Sequence, residues 1–344
     1  MTDDAKISLT GMTIDRLQEV AAECGMPRFA ARQMADWLYV KRIADVDDMT
    51  NLSKKARETL SRRYCVGRAA PKASARSVDG TVKYLFDGKG GRDVEAVYIP
   101  DRDRATLCVS SQAGCRMGCK FCMTGRQGFH GNLTAGDIIN QVLSIPESES
   151  LTNIVFMGMG EPMDNLDAVL DAITVLTSPW GLAWSPKRIT VSTIGKITEL
   201  KRLLDEAKVH VAISVHAPSA PLRESLMPVE KAYPLKSVLE LLKHYDFSHQ
   251  RRLSVEYIMW GGLNDTLRHA QSLARLLKGL DCRVNLIRFH AIPDSDLHTS
   301  DDSTMTAFRD RLNELGITAT IRTSRGEDIA AACGMLAGKS KNDS

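Results

Sequence analysis

Residues 114–122 read Gly-Cys-Arg-Met-Gly-Cys-Lys-Phe-Cys, which places Cys115, Cys119 and Cys122 in the spacing C-x3-C-x2-C. A cubane iron–sulfur cluster needs four ligands and usually takes thiolates from the protein. Three thiolates on this short run, with no fourth cysteine following nearby, would leave one iron open to a small molecule. The spacing therefore predicts an open [4Fe-4S] site. The alternatives are a redox pair with a spare thiol, or a zinc site completed by a distant histidine such as His130.

From residue 105 onward, strands rich in Val and Ile alternate with amphipathic helices. This alternation predicts βαβ units around a parallel sheet, and about six units fit a partial (β/α) barrel better than an open sheet. The predicted strands are 106–110, 153–157, 188–192, 210–215, 253–259, 283–289 and 318–322. The predicted helices are 134–143, 166–176, 197–206, 235–245, 266–280 and 304–315. We therefore predict an α/β fold with the barrel at residues 105–323.

The region before the barrel is predicted to contain a helical domain at residues 1–74 and a β-hairpin extension at residues 75–104. Between residues 54 and 76 there are eight basic residues against one acid, Glu58. Such a run can neutralise RNA phosphates, although a solvated helix face explains it equally simply.

Composition excludes several classes of protein. The chain has 344 residues and 43% hydrophobic residues, enough for a substantial core. It shows no apolar run of the length that crosses a bilayer and no start of the signal-peptide type. We expect a cytoplasmic monomer without a membrane partner, in which the eight cysteines are thiols or ligands rather than a disulfide framework.

Polar residues follow several predicted strands, at the barrel end where chemistry gathers. The second strand runs into Met157-Gly-Met-Gly-Glu-Pro162, where Gly160 allows a ligand to approach the backbone and Glu161 offers an anionic acceptor. Further groups at this rim suit ribose hydroxyls, a carboxylate or adenine; they are Ser192, Thr193, Ser214, Val215, His216 and Asn285. Each of these alone is equally compatible with a capping or structural role, and His216 with a core histidine.

Two further cysteines need an explanation. Cys108 lies in the first barrel strand, where a cysteine is usually a small hydrophobic residue. Cys333 lies in the tail, which we define as residues 324–344, beside Gly334. A mobile tail could bring a thiol over the barrel mouth and remove it again. The last six residues are polar and are expected to be disordered.

These runs together resemble a known family. The triplet, with Phe121 before its last cysteine, resembles the cluster loop of the radical S-adenosylmethionine (SAM) superfamily, in which SAM completes the open iron. Runs at 106–115, 157–162, 214–218, 284–287 and 325–334 resemble the RlmN/Cfr family of RNA adenine methyltransferases. The resemblance extends from the N-terminal helices to about residue 339. Gly160-Glu-Pro162 and Gln127-Gly-Phe129 favour the RlmN branch.

The resemblance implies methylation of adenine C2 in 23S rRNA and in tRNA, with two SAM molecules per turnover. One SAM would methylate Cys333, and the [4Fe-4S] cluster would cleave the other to a 5′-deoxyadenosyl radical that takes hydrogen from this methyl group. Glu95 matches the base that removes the C2 proton. Cys108 matches the thiol that attacks Cys333, releases the product and forms a disulfide. The alternatives are Cfr-like transfer to adenine C8, and a zinc-stabilised RNA-binding protein without catalysis.

The resemblance also implies partners for the redox steps. An electron donor such as flavodoxin or ferredoxin would reduce the cluster. A separate disulfide reductant would reset Cys108 and Cys333 after each turnover.

Overall fold

The computed structural model describes residues 6–249 and 251–338. Its strands are β1 (Ile7–Ser8), β2 (Tyr64–Cys65), β3 (Ala73–Arg76), β4 (Val82–Phe86), β5 (Val94–Asp101), β6 (Arg104–Cys108), β7 (Gln112–Gly114), β8 (Phe129–Asn132), β9 (Asn153–Phe156), β10 (Ile189–Thr193), β11 (His210–Ser214), β12 (Leu253–Met259), β13 (Cys282–Arg288) and β14 (Ala319–Arg322). Its α-helices are α1 (Ile14–Glu23), α2 (Ala30–Ala35), α3 (Lys54–Arg63), α4 (Met123–Arg126), α5 (Ala135–Leu143), α6 (Leu166–Thr177), α7 (Ile197–Glu206), α8 (Ala220–Leu226), α9 (Leu235–Leu242), α10 (Leu267–Leu276) and α11 (Asp302–Glu314).

One large sheet organises the molecule, in the order β14-β13-β12-β11-β10-β9-β6-β5-β4-β3. The strands from β6 through β14 in this sheet pair in parallel, whereas β5, β4 and β3 add an antiparallel edge. Helices connect the parallel strands, as crossover connections require. Within the described residues β14 and β3 are the two free edges of the sheet. The predicted α/β fold is confirmed, with a sheet that does not close on itself in these residues.

The barrel elements lie close to their predicted positions. β12 and α7 span the predicted residues, and most other elements differ by one or two positions. The largest difference is α10, which ends at Leu276 rather than at the predicted residue 280. Gly279 adopts φ +87 there, a left-handed conformation that ends a helix.

The N-terminal helices share their core with the barrel. Leu17, Met34 and Leu60 are buried in the same hydrophobic cluster as the barrel residues. The Ser53 side chain accepts a hydrogen bond from the Ala56 N–H at 3.2 Å and so caps the N-terminus of α3. The boundaries at residues 74 and 104 stay predictions.

The predicted hairpin is present and is continuous with the main sheet. Phe86 of β4 pairs with Val94 of β5 across the glycine-rich turn. β5 then continues to Asp101 and pairs antiparallel with β6, the first barrel strand. The hairpin therefore extends the edge of the barrel sheet.

The tail packs against the turn between β3 and β4. The Gly326 N–H donates to Asp79 at 2.9 Å, and the Asp328 carboxylate accepts from the Ser77 hydroxyl at 2.5 Å and the Val78 N–H at 3.2 Å. The expected disorder of residues 339–344 concerns a stretch outside the described residues. In the part of the chain that is described, no helix combines the length and apolar character needed to cross a membrane.

Candidate active site

A cavity of about 160 Å³ lies at the carboxyl ends of the parallel strands. Residues from three separate parts of the sequence line it: the cluster loop (residues 114–122), the strand ends and the tail. The predicted site residues among them are Cys115, Cys119, Cys122, Gly160, Glu161, Ser192, Ser214, His216 and Cys333. The predicted residues outside this lining are Glu95, Cys108, Val215 and Asn285.

The cluster loop is fixed by local hydrogen bonds. β7 and β8 pair antiparallel on either side of it, and the Cys115 N–H donates to the Gly128 carbonyl at 2.9 Å. Burial raises the pKa of the Cys115 thiol to about 12, and it also raises the pKa values of Cys119 and Cys122. Because coordination to a metal deprotonates a thiol outright, these buried groups become thiolates only as ligands.

The donor set fits a [4Fe-4S] cluster better than a single ion. Among residues 6–249 and 251–338, no three His, Cys, Asp or Glu side chains converge as the ligands of one ion would. The three thiols nevertheless face one cavity, and a cubane is bound at separate corners. His130, the histidine of the zinc alternative, lies outside the lining with its Nε2 at 3.1 Å from the Gln127 carbonyl oxygen.

Gly160 and Glu161 form the end of the strand next to the cluster loop. Gly160 has φ +99, and a Cβ atom there would lie 2.8 Å from the Gln112 nitrogen, so the backbone requires glycine. Glu161 is buried, and its carboxylate accepts hydrogen bonds from the Thr193 hydroxyl at 2.6 Å and the Ile194 N–H at 3.1 Å. Burial nevertheless raises the pKa of Glu161 to about 7. A positively charged ligand group beside it would favour the ionised form.

His216 lies at the same rim and is also part of the core. Its Nδ1 accepts the Ile258 N–H at 3.1 Å, and its ring packs edge-on against Phe121 of the cluster loop, with centroids 5.0 Å apart. Burial lowers the pKa of His216 to about 3, so the ring is neutral at ordinary pH. The neighbouring Val215 is fully buried. β11 ends at Ser214, and His216 follows in a left-handed conformation with φ +58. Ser214 and His216 line the cavity, whereas Val215 does not.

A buried arginine that the sequence analysis missed supports this rim. Arg223 of α8 donates to the carbonyl oxygens of Ser214 at 2.9 Å, Val215 at 3.2 Å and Ile194 at 3.3 Å. It also forms an ion pair with buried Glu230. A single arginine thus ties the ends of two strands together.

Asn285 lies one layer below the rim because β13 continues to Arg288. Its Nδ2 donates to Glu256 Oε1 at 2.8 Å, and it lines a neighbouring polar cavity. Glu256 and Arg322 line both cavities. Glu256 Oε2 is buried without a hydrogen-bond partner among the described residues, and it lies 3.9 Å from Arg322 Nη1. This free acceptor suits a polar ligand group. Both residues were missed because they lie within predicted strands rather than after them.

The two outlying cysteines lie close enough for their charges to interact. Cys333 is exposed and lines the cavity, whereas Cys108 is buried at the end of β6. Burial raises the pKa of Cys108 to about 12; the nearby charge of Cys333 adds to this rise and that of Arg322 opposes it. The fold thus brings together two thiols that are far apart in sequence.

Glu95 faces the tail rather than the cavity. Its Oε1 is 3.0 Å from Lys83 Nζ. Its Oε2 accepts the N–H groups of Ala337 at 2.9 Å and Gly338 at 3.3 Å. The carboxylate is therefore occupied by groups of the protein itself.

Comparison with known proteins places these features in a family. Residues 109–277 match the Radical SAM superfamily, and residues 7–66 match the Ribosomal RNA large subunit methyltransferase N-terminal domain. The chain is 58% identical over 331 residues to the probable dual-specificity RNA methyltransferase RlmN of Parabacteroides distasonis, covering 96% of each chain. It is 40% identical to the dual-specificity RNA methyltransferase RlmN of Bdellovibrio bacteriovorus, covering 97% of this chain and 84% of the relative.

A solved structure agrees with the sequence relatives. The crystal structure of a radical SAM methyltransferase from Sphaerobacter thermophilus superimposes with a TM-score of 0.90 at 39% identity, covering 96% of this chain and 99% of that one. The resemblance seen in the cysteine spacing is confirmed, and the chain is an enzyme. It belongs to the RlmN family of radical SAM RNA methyltransferases.

Proposed function

We propose that this enzyme methylates C2 of adenine in 23S rRNA and in tRNA, with Cys333 as the methyl carrier. The observation that carries the proposal is that Cys333, from the tail, lines the same cavity as Cys115, Cys119 and Cys122. Adenine C2 is an electrophilic carbon and a poor nucleophile towards the methyl group of SAM. A thiol that carries the methyl group next to a source of radicals would overcome this low reactivity of C2.

The residues that line the cavity have separate proposed roles in binding the cluster and SAM. Cys115, Cys119 and Cys122 would hold the [4Fe-4S] cluster and leave one iron for SAM. When bound, the cluster supplies the electron that cleaves SAM to a 5′-deoxyadenosyl radical. Glu161 would bind the amino group of SAM, for which its buried carboxylate is suited. Gly160 would let the ligand approach the backbone.

The remaining polar groups of the rim would bind the rest of SAM. Ser192, Ser214 and His216 line the cavity directly, and Val215 offers only backbone groups because its side chain is buried. Asn285 would act through Glu256, to which it is hydrogen-bonded. The free Glu256 Oε2 is suited to a ribose hydroxyl.

The two outlying thiols would carry and release the methyl group. Cys333 sulfur takes a methyl group from one SAM and then gives up one hydrogen atom of it to the radical. The resulting methylene radical would bond to adenine C2, and loss of the C2 proton to Glu95 and of one electron back to the cluster would leave a closed-shell adduct. The Cys108 thiolate would then attack Cys333 sulfur and break its bond to carbon. The released carbon would gain a proton, which frees the methylated base and leaves a disulfide. A reductant must supply two electrons and two protons to restore both thiols. The interaction of the two cysteine charges supports their closeness.

Glu95 is proposed as the base that removes the C2 proton. In the structure its Oε2 accepts two N–H groups of the tail, so this role requires the tail to move.

RNA binding is assigned to the N-terminal helices. The match of residues 7–66 to the N-terminal domain of ribosomal RNA methyltransferases supports this assignment. Arg62 and Arg63 lie in the last turn of α3, where they would contact phosphates while the target adenine is splayed into the barrel. A flavodoxin or ferredoxin would supply electrons to the cluster.

Nucleoside mass spectrometry tests the proposal. Total rRNA and tRNA from cells with and without this chain are digested and compared with 2-methyladenosine and 8-methyladenosine standards. We expect 2-methyladenosine in both RNAs only when the chain is present, and none with a Cys333→Ala variant. Appearance of 8-methyladenosine instead would assign the enzyme to the alternative C8 chemistry.

The proposed role of Cys108 has its own test. A Cys108→Ala variant is expected to form the RNA–protein bond but not to break it, so a covalent adduct should accumulate on a denaturing gel. Normal turnover without an adduct would remove Cys108 from the mechanism.

A further inference from the structure

One buried ion pair makes its contacts with the tail on both sides of Cys333. Lys83 Nζ and Glu95 Oε1 are 3.0 Å apart, and their side chains are only 18% and 8% exposed. Lys83 lies on β4 and Glu95 on its antiparallel neighbour β5; Lys83 pairs with Val97 and Glu95 with Leu85, so the two residues are diagonal neighbours on one face of the sheet. The pair thus belongs to the main sheet, whereas its other partners belong to the tail.

The contacts of this pair bracket the carrier cysteine. Before Cys333, Lys83 Nζ donates to the Ala330 carbonyl at 3.3 Å. After Cys333, Glu95 Oε2 accepts the N–H groups of Ala337 and Gly338. The pair therefore restrains the tail at both ends of a short loop that has Cys333 near its middle.

The cluster side of the cavity holds the same loop from the opposite direction. The Thr124 hydroxyl donates to the Leu336 carbonyl at 2.7 Å, and the Met123 N–H donates to the Gly334 carbonyl at 2.8 Å. The loop is thus hydrogen-bonded to β4 and β5 on one side and to the start of α4 on the other. Since α4 begins directly after Cys122, these bonds also set the distance between Cys333 and the cluster loop.

We propose that Lys83 and Glu95 act as a clamp that positions the Cys333 loop for methyl loading, with Lys83 as a positioning residue. The inference rests on the proposed role of Cys333 as the methyl carrier. Buried ion pairs contribute little net stability to a fold. The effect expected of the Lys83–Glu95 pair is therefore on the position of the tail rather than on the free energy of unfolding. Glu95 cannot accept a proton from RNA while it holds two tail N–H groups. The clamp is therefore closed during loading and open when the base is deprotonated.

The test uses the cluster-loaded enzyme and two measurements. The first is amide hydrogen exchange of Ala337 and Gly338; the second is the rate at which the tail peptide gains the mass of one methyl group from SAM, before any RNA is added. Loading precedes the proton transfer assigned to Glu95, so a residue that acts only as a base leaves both measurements unchanged.

Three variants separate the outcomes. Lys83→Met/Glu95→Leu removes both charges while keeping apolar volume, so the fold is retained. Lys83→Arg keeps a positive donor at the same site. Lys89→Met removes an ion pair of similar length, with Asp137 at 2.9 Å, that is more exposed and has no recorded contact with the described part of the tail.

In the double variant we expect exchange of the two amides to rise at least about tenfold, the ratio that loss of one hydrogen bond to a charged group gives. Methyl loading should fall by a similar factor at unchanged iron content. Lys83→Arg should restore most of the loading, and Lys89→Met should match the unsubstituted enzyme. Unchanged exchange and loading in the double variant would overturn the clamp. Faster exchange with no methyl on Cys333 even in the unsubstituted enzyme would instead overturn the carrier role, and with it the role of the clamp in loading, while the restraint of the loop by Lys83 and Glu95 would stand.

Discussion

The cluster loop and the tail face the same cavity but are held in different ways. The cluster loop is enclosed by the β7–β8 pairing, and Cys115 and Cys119 are buried. The described part of the tail, residues 324–338, contains no helix or strand beyond a single 3-10 turn, includes Ala330 at φ +50, and exposes Cys333. Its bonds reach residues far away in sequence, on the hairpin and at α4. The difference suits the proposed division between a fixed radical-generating site and a removable carrier.

The largest expected effect separates the cysteines of the two regions. A Cys115→Ala variant leaves two cluster ligands, so we expect loss of most of the iron and of all SAM cleavage. Cys333→Ala should keep the iron and the cleavage of SAM while transferring no methyl group. Iron content and 5′-deoxyadenosine yield after anaerobic reconstitution measure both, with Cys65→Ala as the control. Equal loss of iron in the two variants would erase the distinction between the regions.

A glycine from each region gives the next comparison. At Gly160 (φ +99) a Cβ atom would lie 2.5 Å from Gln112 Cβ, whereas at Gly334 (φ +85) its nearest contact is the Phe121 carbonyl oxygen at 3.1 Å. We expect Gly160→Ala to lower the free energy of unfolding by about 3 kcal/mol and Gly334→Ala by about 1 kcal/mol. Gly279→Ala, in open space at φ +87, controls for backbone strain alone. Denaturant midpoints that shift equally for Gly160 and Gly334 would show that the tail is packed as firmly as the strand end.

Acid should weaken the cluster side of the cavity through His216. Its pKa is lowered to about 3 in the folded chain, so between pH 3 and 6.5 the unfolded chain binds a proton that the folded chain does not. The stability from neutral His216 is complete above pH 6.5 and decreases as the pH falls. Between pH 7 and pH 5 the loss amounts to about 2 kcal/mol.

A His216→Asn variant measures this contribution. Asparagine can still accept the Ile258 N–H but does not titrate. Between pH 7 and pH 5, the free energy of unfolding of the variant should therefore fall by about 2 kcal/mol less than that of the unsubstituted protein. Parallel pH profiles for the two proteins would show that His216 is not the titrating group.

The smallest effect concerns the N-terminal helices. Replacing Arg62 with Gln should reduce the slope of log K for RNA against log salt by about 0.7 to 0.9, the value for one phosphate contact. Arg63 is paired with Glu23 at 3.0 Å, so Arg63→Gln should change the slope less. Lys201→Gln on α7 is the control. Unchanged slopes in both arginine variants would return this run to the interpretation of a solvated helix face.

The sequence predicted what depends on local pattern. The barrel strands follow from runs of Val and Ile, the cluster loop from cysteine spacing, and Gly160-Glu161 from a glycine-rich strand end. Asn285 and Val215 were assigned to the rim, but Asn285 lies inside β13, which continues to Arg288, and the side chain of Val215 is fully buried.

The sequence could not predict what depends on long-range packing. Glu256 and Arg322 lie within strands and meet only because β12 and β14 curve round the same cavity. Lys83 is relevant to the site because it donates a hydrogen bond to the carbonyl oxygen of Ala330, which lies near the other end of the sequence. The family resemblance supplied a role for Glu95 but no sign that its carboxylate holds the tail. Such contacts have no local periodicity from which to be read.

Transfer of carbon from the tail to RNA is the central claim, and isotope tracing tests it most directly. Enzyme loaded at Cys333 with a trideuteromethyl group is mixed with RNA, unlabelled SAM and reductant for a single turnover. One deuterium is lost to the radical, so the account predicts 2-methyladenosine carrying two deuterium atoms, with the tail peptide returned to the mass of the free thiol after reduction. Unlabelled methyladenosine, with the label still on Cys333, would contradict it.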